Sequence, residues 1–237
     1  MLIYLFNLHS QMFKNGIFMK IYDVDNFFGA ATHIIRKIPI INDYKEKKNF
    51  DIALTGGRFG KFFASELHKS ILEFKDWRFF LTDERFTNRD KNILNRTLIE
   101  ENLFDKIDTK VESYFFDTAL DIEDSEIKMS SSLRKKNINK LDFVILSLGS
   151  DGHLAGHFRN SQKIGNAMIN CTENVPFSPR ISFSIPWLLK AEKVFIVALG
   201  ASKENAYNEL FLNKGVFNIE LFKSDRISFL KDFTIND

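Results

Sequence analysis

Four short runs of this chain gather charged or proton-transferring side chains, three of them beside glycine. In Thr55-Gly56-Gly57-Arg58, adjacent glycines let the backbone turn tightly and present bare N–H groups, and Arg58 adds a forked cation. In Asp83-Glu84-Arg85, three consecutive charges follow the apolar run WRFFLT. In Ser147-Leu148-Gly149-Ser150-Asp151-Gly152-His153, an Asp and a His stand two residues apart on a glycine-flanked loop. An imidazole there can take and return a proton near neutral pH, and a carboxylate beside it can fix its tautomer. In Gly200-Ala201-Ser202-Lys203, backbone amides and a cation meet again, and Lys203 at a helix start opposes the helix dipole unless an anion is bound. Arg180, after Pro179, points to the same region. The blander readings are a plain strand-to-helix turn for the glycines and a structural ion network for the charges.

His157 lies four residues after His153, a spacing that suits two ligands on one helix face. Glycine interrupts the segment and no Glu follows His153, so we assign no metal and no cofactor. Cys171 is the only cysteine, which excludes an intrachain disulfide and a cysteine-built zinc site and suits a reducing cytoplasm. No local motif marks Cys171 as a nucleophile. The charge sum of +2 argues against a dedicated nucleic-acid or membrane-surface protein. The expected partner is therefore a small molecule, and the expected state a monomer or small homo-oligomer.

These runs need elements to hold them. Continuous apolar stretches at 51–55, 78–82, 142–148 and 194–199, with further short strands at 20–24, 111–116 and 181–184, alternate with helical periodicity at 26–36, 61–74, 92–103, 121–136 and 203–212. A break in the 121–136 helix is expected near Ser130-Ser131-Ser132. Continuous rather than alternating apolar strands imply a sheet covered on both faces. The reading is α/β, a single-domain three-layer α/β/α sandwich with a mostly parallel, Rossmann-like doubly wound sheet. Such sheets bind ligands outside the carboxyl ends of their strands, where the four runs lie. Length of 237 residues and the lack of a Pro/Gly/Ser linker fit one domain over 19–237. Residues 1–18 are apolar only at the front, too short to span a bilayer and without a basic n-region, and read as a non-native or weakly ordered extension.

The motifs GGR at 56–58, LTDER at 81–85, LGSDGH at 148–153 and PRISFSIPWLLKAEKVFIVALGASK at 179–203 resemble, in order and spacing, the 6-phosphogluconolactonases. That family shares its α/β/α fold with the glucosamine-6-phosphate deaminases and related sugar-phosphate isomerases. Arg85 after Asp83-Glu84, and Ala155-Gly156-His157-Phe158 after the His loop, favour the lactonase side. This chain departs from the family where Arg58-Phe59-Gly60 replaces Ser-Thr-Pro, where Ser147 takes a glycine position, where Gly156-His157-Phe158-Arg159 replaces Ser-Leu-Phe-Pro, and where Lys91-Asn92 replaces Ser-Asn.

The resemblance implies hydrolysis of 6-phospho-D-glucono-1,5-lactone to 6-phospho-D-gluconate in the oxidative pentose phosphate pathway. His153 would activate water, with Asp151 supporting it. Arg85 would stabilise the oxyanion or hold a hydroxyl, and Asp83 is a secondary acid–base candidate. Gly56, Gly57, Arg58, Arg180 and Lys203 would hold the phosphate. The alternatives are a deaminase or isomerase acting on an amino-sugar phosphate, and a non-catalytic sugar-phosphate-binding protein. The 26 phenylalanines fall mostly on strand and helix stripes and read as core, with Phe59 and Phe158 alone beside the chemistry.

Overall fold

The computed structural model describes residues 8–12, 18–43, 49–87, 91–159, 162–165, 169–173 and 178–233. Along the chain the strands are β1 (Leu8–Met12), β2 (Phe18–Asp23), β3 (Phe50–Leu54), β4 (Trp77–Leu81), β5 (Asp83–Arg85), β6 (Glu112–Tyr114), β7 (Phe143–Ser147), β8 (Gln162–Gly165), β9 (Ile169–Glu173), β10 (Arg180–Phe183), β11 (Lys193–Ala198) and β12 (Ile227–Lys231). The α-helices are α1 (Phe27–Asp43), α2 (Gly57–His68), α3 (Asn95–Asn102), α4 (Ile122–Lys135), α5 (Ile185–Leu188) and α6 (Glu204–Phe211).

The main sheet runs β1-β2-β12-β11-β7-β3-β4-β6. Every neighbouring pair from β2 to β6 is parallel, and β1 alone runs antiparallel, against β2. β3, β4, β7, β11 and β12 are apolar nearly throughout because both faces are covered. Side chains alternate between two cores: in β7, Phe143 and Ile145 pack with α1, α2 and α3, while Val144 and Leu146 pack with α4, α5 and α6. The architecture is the doubly wound, three-layer α/β sandwich expected from the sequence. Its switch point lies between β3 and β7: from β3 the chain builds outward to β4 and β6, then returns to β7 and builds the other way. The two strands are spliced at their amino ends, where the Asp142 N–H donates to the Asp51 carbonyl at 2.9 Å and the Asp51 N–H to Asp142 Oδ2 at 2.8 Å. Arg78 of β4 closes the buried group with two bonds to the Asp51 carboxylate at 2.5 and 2.6 Å.

Several details differ from the sequence reading. A second, antiparallel sheet, β5-β10-β9-β8, sits beside the first. Asp83-Glu84-Arg85, read as the charged end of the 78–82 strand, is thus a strand of the second sheet, and the 181–184 segment pairs with it instead of joining the parallel sheet. Helix α4 runs unbroken through Ser130-Ser131-Ser132, with Ser125 and Ser130 buried on its inner side and the Ser132 hydroxyl bonded back to the Lys128 carbonyl at 2.8 Å. Helix α2 begins four residues earlier than its apolar stripe suggests, directly on Gly57. Strand β12, an apolar run at 227–231 not singled out in the sequence, pairs with β11 and β2. Of the N-terminal segment, Leu8–Met12 pair with β2. Ten phenylalanines, from Phe50 to Phe229, are entirely buried, in keeping with their reading as core.

Candidate active site

A cavity of about 650 Å³ opens at the carboxyl ends of β3, β7 and β11. Gly56, Gly57, Arg58, Asp83, Arg85, His153, Arg180 and Lys203 all line it, so eight of the nine site residues read from the sequence converge. The ninth, Asp151, bonds to one of them.

The β7 end supplies the proton-transfer group. The loop turns back through Gly149 N–H to the His153 carbonyl (2.8 Å) and Gly152 N–H to the Gly149 carbonyl (3.1 Å). A side chain at Gly149 would sit 2.1 Å from His153 Nδ1 and 2.5 Å from Asp151 Oδ1, so glycine is required there for the pair to form. His153 Nδ1 lies 2.5 Å from Asp151 Oδ1. With Nδ1–H donating to that carboxylate, Nε2 is left as the basic nitrogen. The imidazole stacks on Phe158, with ring centroids 4.3 Å apart. Partial burial pushes the Asp151 carboxyl up, but the charge and hydrogen bonds of His153 outweigh it and hold Asp151 below the usual carboxylate range.

The β3 end supplies an anion cradle. Gly56 and Gly57 carry the chain into α2, Gly57 in the left-handed region at φ 68°. The first-turn amides of α2, the exposed Arg58 and Lys203 form one positive corner. Burial lowers the Lys203 ammonium, the neighbouring Arg58 lowers it further, and Asp151 opposes both. Phe59, in the position of the family's hydroxyl, turns inward against Phe27 and Phe63 with centroids at 5.6 and 6.1 Å, although its edge still meets the cavity.

The third wall is β5. Alternation sends Asp83 and Arg85 toward the cavity and Glu84 away from it. Burial pushes the Asp83 carboxyl up, against the pull of Arg180, His153 and Arg85. Arg180 Nε lies 3.8 Å from Asp83 Oδ2, its Nη1 donates to the Ser178 carbonyl at 2.7 Å, and its guanidinium faces the Phe158 ring at 5.7 Å. Arg180 thus stands beside Asp83, on the strand paired with β5. Glu84 accepts from the N–H groups of Arg85 (2.8 Å), Asn95 (2.7 Å) and Arg96 (2.7 Å). Burial nevertheless pushes its carboxyl up to about 7.

Sequence reasoning missed Asn95, which lines the cavity and sets its Nδ2 3.0 Å from the Asp83 carbonyl. Asn92, the residue at the expected Ser-Asn position, is exposed. No sequence signal marked Asn95, which opens α3 ten residues after β5 ends. His157 faces away from His153, with its Nε2–H bonded to the Phe183 carbonyl at 2.9 Å. Among the described residues, no three His, Cys, Asp or Glu side chains gather as metal ligands. No helix among them is long and apolar enough to cross a membrane.

The chain is a doubly wound α/β protein whose switch-point cavity gathers His153 with the cations Arg58, Arg85, Arg180 and Lys203. The sequence profile of the glucosamine-6-phosphate isomerases/6-phosphogluconolactonase matches residues 29–218, and the chain belongs to this family. A 6-phosphogluconolactonase of Synechocystis sp. is 26% identical over 176 residues, covering 70% of this chain and 73% of that one. The crystal structure of the Thermotoga maritima 6-phosphogluconolactonase, at 24% identity, superposes with a TM-score of 0.76 over 90% of this chain and 98% of its own. That of the Trypanosoma cruzi enzyme, at 21% identity, gives 0.79 over 94% and 96%. These structures share the fold described above.

Proposed function

We propose that the protein is a 6-phosphogluconolactonase, hydrolysing 6-phospho-D-glucono-1,5-lactone to 6-phospho-D-gluconate. The observation that carries this reading is the His153–Asp151 pair facing, in one cavity, the cationic corner of Arg58 and Lys203. A δ-lactone is an activated ester, so no covalent nucleophile is needed. His153 Nε2 takes a proton from water as its oxygen attacks C1. The carbonyl π electrons move to oxygen, and Arg85 stabilises that charge. The oxyanion collapses, the C1–O5 bond breaks, and the imidazolium returns its proton to O5. General base catalysis contributes ~10²–10⁴-fold and one oxyanion donor ~10²–10³-fold, enough for a reaction that proceeds slowly unaided.

Asp151 holds the imidazole tautomer and the imidazolium that forms. Gly56, Gly57, Arg58 and Lys203 hold the phosphate. Arg180 adds charge from the Asp83 side, and Asp83 is a secondary proton-transfer group whose raised carboxyl keeps the isomerase-type reading testable. The single thiol, Cys171, and the absence of strong net charge suit a cytoplasmic enzyme of small metabolites that works as a monomer or small homo-oligomer.

Lactone opening followed by proton release, with and without the 6-phosphate, tests the assignment. Turnover of the phosphorylated lactone well above its spontaneous rate is expected, with Lys203→Ala raising KM for that substrate far more than for the unphosphorylated one. Tight binding without turnover would overturn the assignment, as would ammonia release from glucosamine 6-phosphate without lactone opening.

A further inference from the structure

Helix α3 begins without a side-chain cap of its own, because Leu94 occupies the N-cap position. Its first two amides, of Asn95 and Arg96, are instead met by the two carboxylate oxygens of Glu84, 2.7 Å from each. Glu84 is 1% exposed and bonds the Arg85 N–H as well, so one buried carboxylate fastens the start of α3 to the strand that carries Asp83 and Arg85. The fastening brings two acceptors to Arg85. Its Nη1 donates to the Ile93 carbonyl and lies 3.4 Å from Asn95 Oδ1. The other end of the Asn95 amide donates to the Asp83 carbonyl at 3.0 Å. A Cβ on Gly56 would fall 1.9 Å from Asn95 Oδ1, so the glycine loop closes directly over this amide.

We infer that Glu84 and Asn95 are positioning residues for the reaction: Glu84 docks the start of α3, and Asn95 with the Ile93 carbonyl aims the Arg85 guanidinium into the cavity. The inference rests on the role of Arg85 proposed above. A flexible arginine has many rotamers, and a guanidinium serves a developing oxyanion only when already aimed. Neither positioning residue needs to touch the reacting atoms.

A double-mutant cycle separates the two claims. Asn95→Ala should lower kcat about 10- to 100-fold, the scale of a misplaced catalytic group, with little change in KM or in competitive inhibition by inorganic phosphate. In an Arg85→Ala background the same substitution should change kcat less than about twofold, because it acts through a guanidinium that is gone. Glu84→Gln keeps the volume and one acceptor oxygen, should lower kcat less, and should likewise lose its effect without Arg85. It also supplies the test if Asn95→Ala does not fold. Losses that multiply with that of Arg85→Ala would overturn the positioning role while leaving Arg85 catalytic. An Arg85→Ala enzyme with unchanged kcat would instead overturn the role of Arg85 itself.

Discussion

In the proposed mechanism His153 would serve as a base only while Asp151 keeps Nδ1 engaged, and the stacked Phe158 ring fixes the plane in which Nε2 can point. Both supports are close, so His153→Ala should lower kcat at least about a hundredfold, with an unchanged thermal midpoint. A coupled assay corrected for spontaneous opening checks it, and near-wild-type turnover would refute the assignment. The charged residues that line the cavity were legible in the sequence because they follow apolar strands, most of them beside glycine. Glu84 was visible only as one charge among three. Its function comes from the alternation of a strand too short to show a period, and from amides eleven and twelve residues away. Asn95 was not legible, because a helix-opening asparagine is ordinary until the tertiary fold sets it beneath Gly56 and beside Arg85. The Phe59 ring answers the question raised by the altered glycine loop. It packs toward Phe27 and Phe63, so in the proposed function the anion would rest on the backbone amides, Arg58 and Lys203.

At the scale of elements, α1 is pinned to the sheet by His33, whose ring lies 4.3 Å from Tyr22 and 5.9 Å from Phe195. Burial first, then the charges of Lys37, Lys193 and Arg36, lower its pKa from 6.5 to about 4. A depressed histidine pKa means that the unfolded chain takes the proton more readily. Its contribution to stability is therefore full above about 6.5 and is lost as pH falls toward 4. Denaturant midpoints should drop between pH 7.5 and 5, and His33→Leu should reduce that drop; an equal drop in the variant would rule His33 out as its source. β1 is the outermost strand of the main sheet, separated from β11 by β2 and β12. We propose that the functional domain begins near Met19. A chain starting there should keep kcat and KM, and loss of both would place the earlier residues within the working fold. The long parallel strands were legible because burial on both faces writes them as unbroken apolar runs. β8 and β9 were not, since QKIG and INCTE carry neither an apolar run nor a clear alternation.

Across the described residues, the ten fully buried phenylalanines bear on the unusual composition: they fill both cores, and seven of them sit on strands that would accept Leu or Val at the same positions. The sheet they fill is not uniform at its centre. β3 shares five register pairs with β4, from Phe50↔Trp77 to Leu54↔Leu81, but only Ile52↔Phe143 and Ala53↔Val144 with β7. The aspartate splice holds these two strands at their amino ends, and beyond Val144 their ladders part, which opens the floor of the cavity. The cavity thus sits over the seam between two halves of one sheet. In the proposed mechanism, a sugar phosphate held by Arg58 on one half and presented to His153 on the other would bridge that seam like a removable clasp.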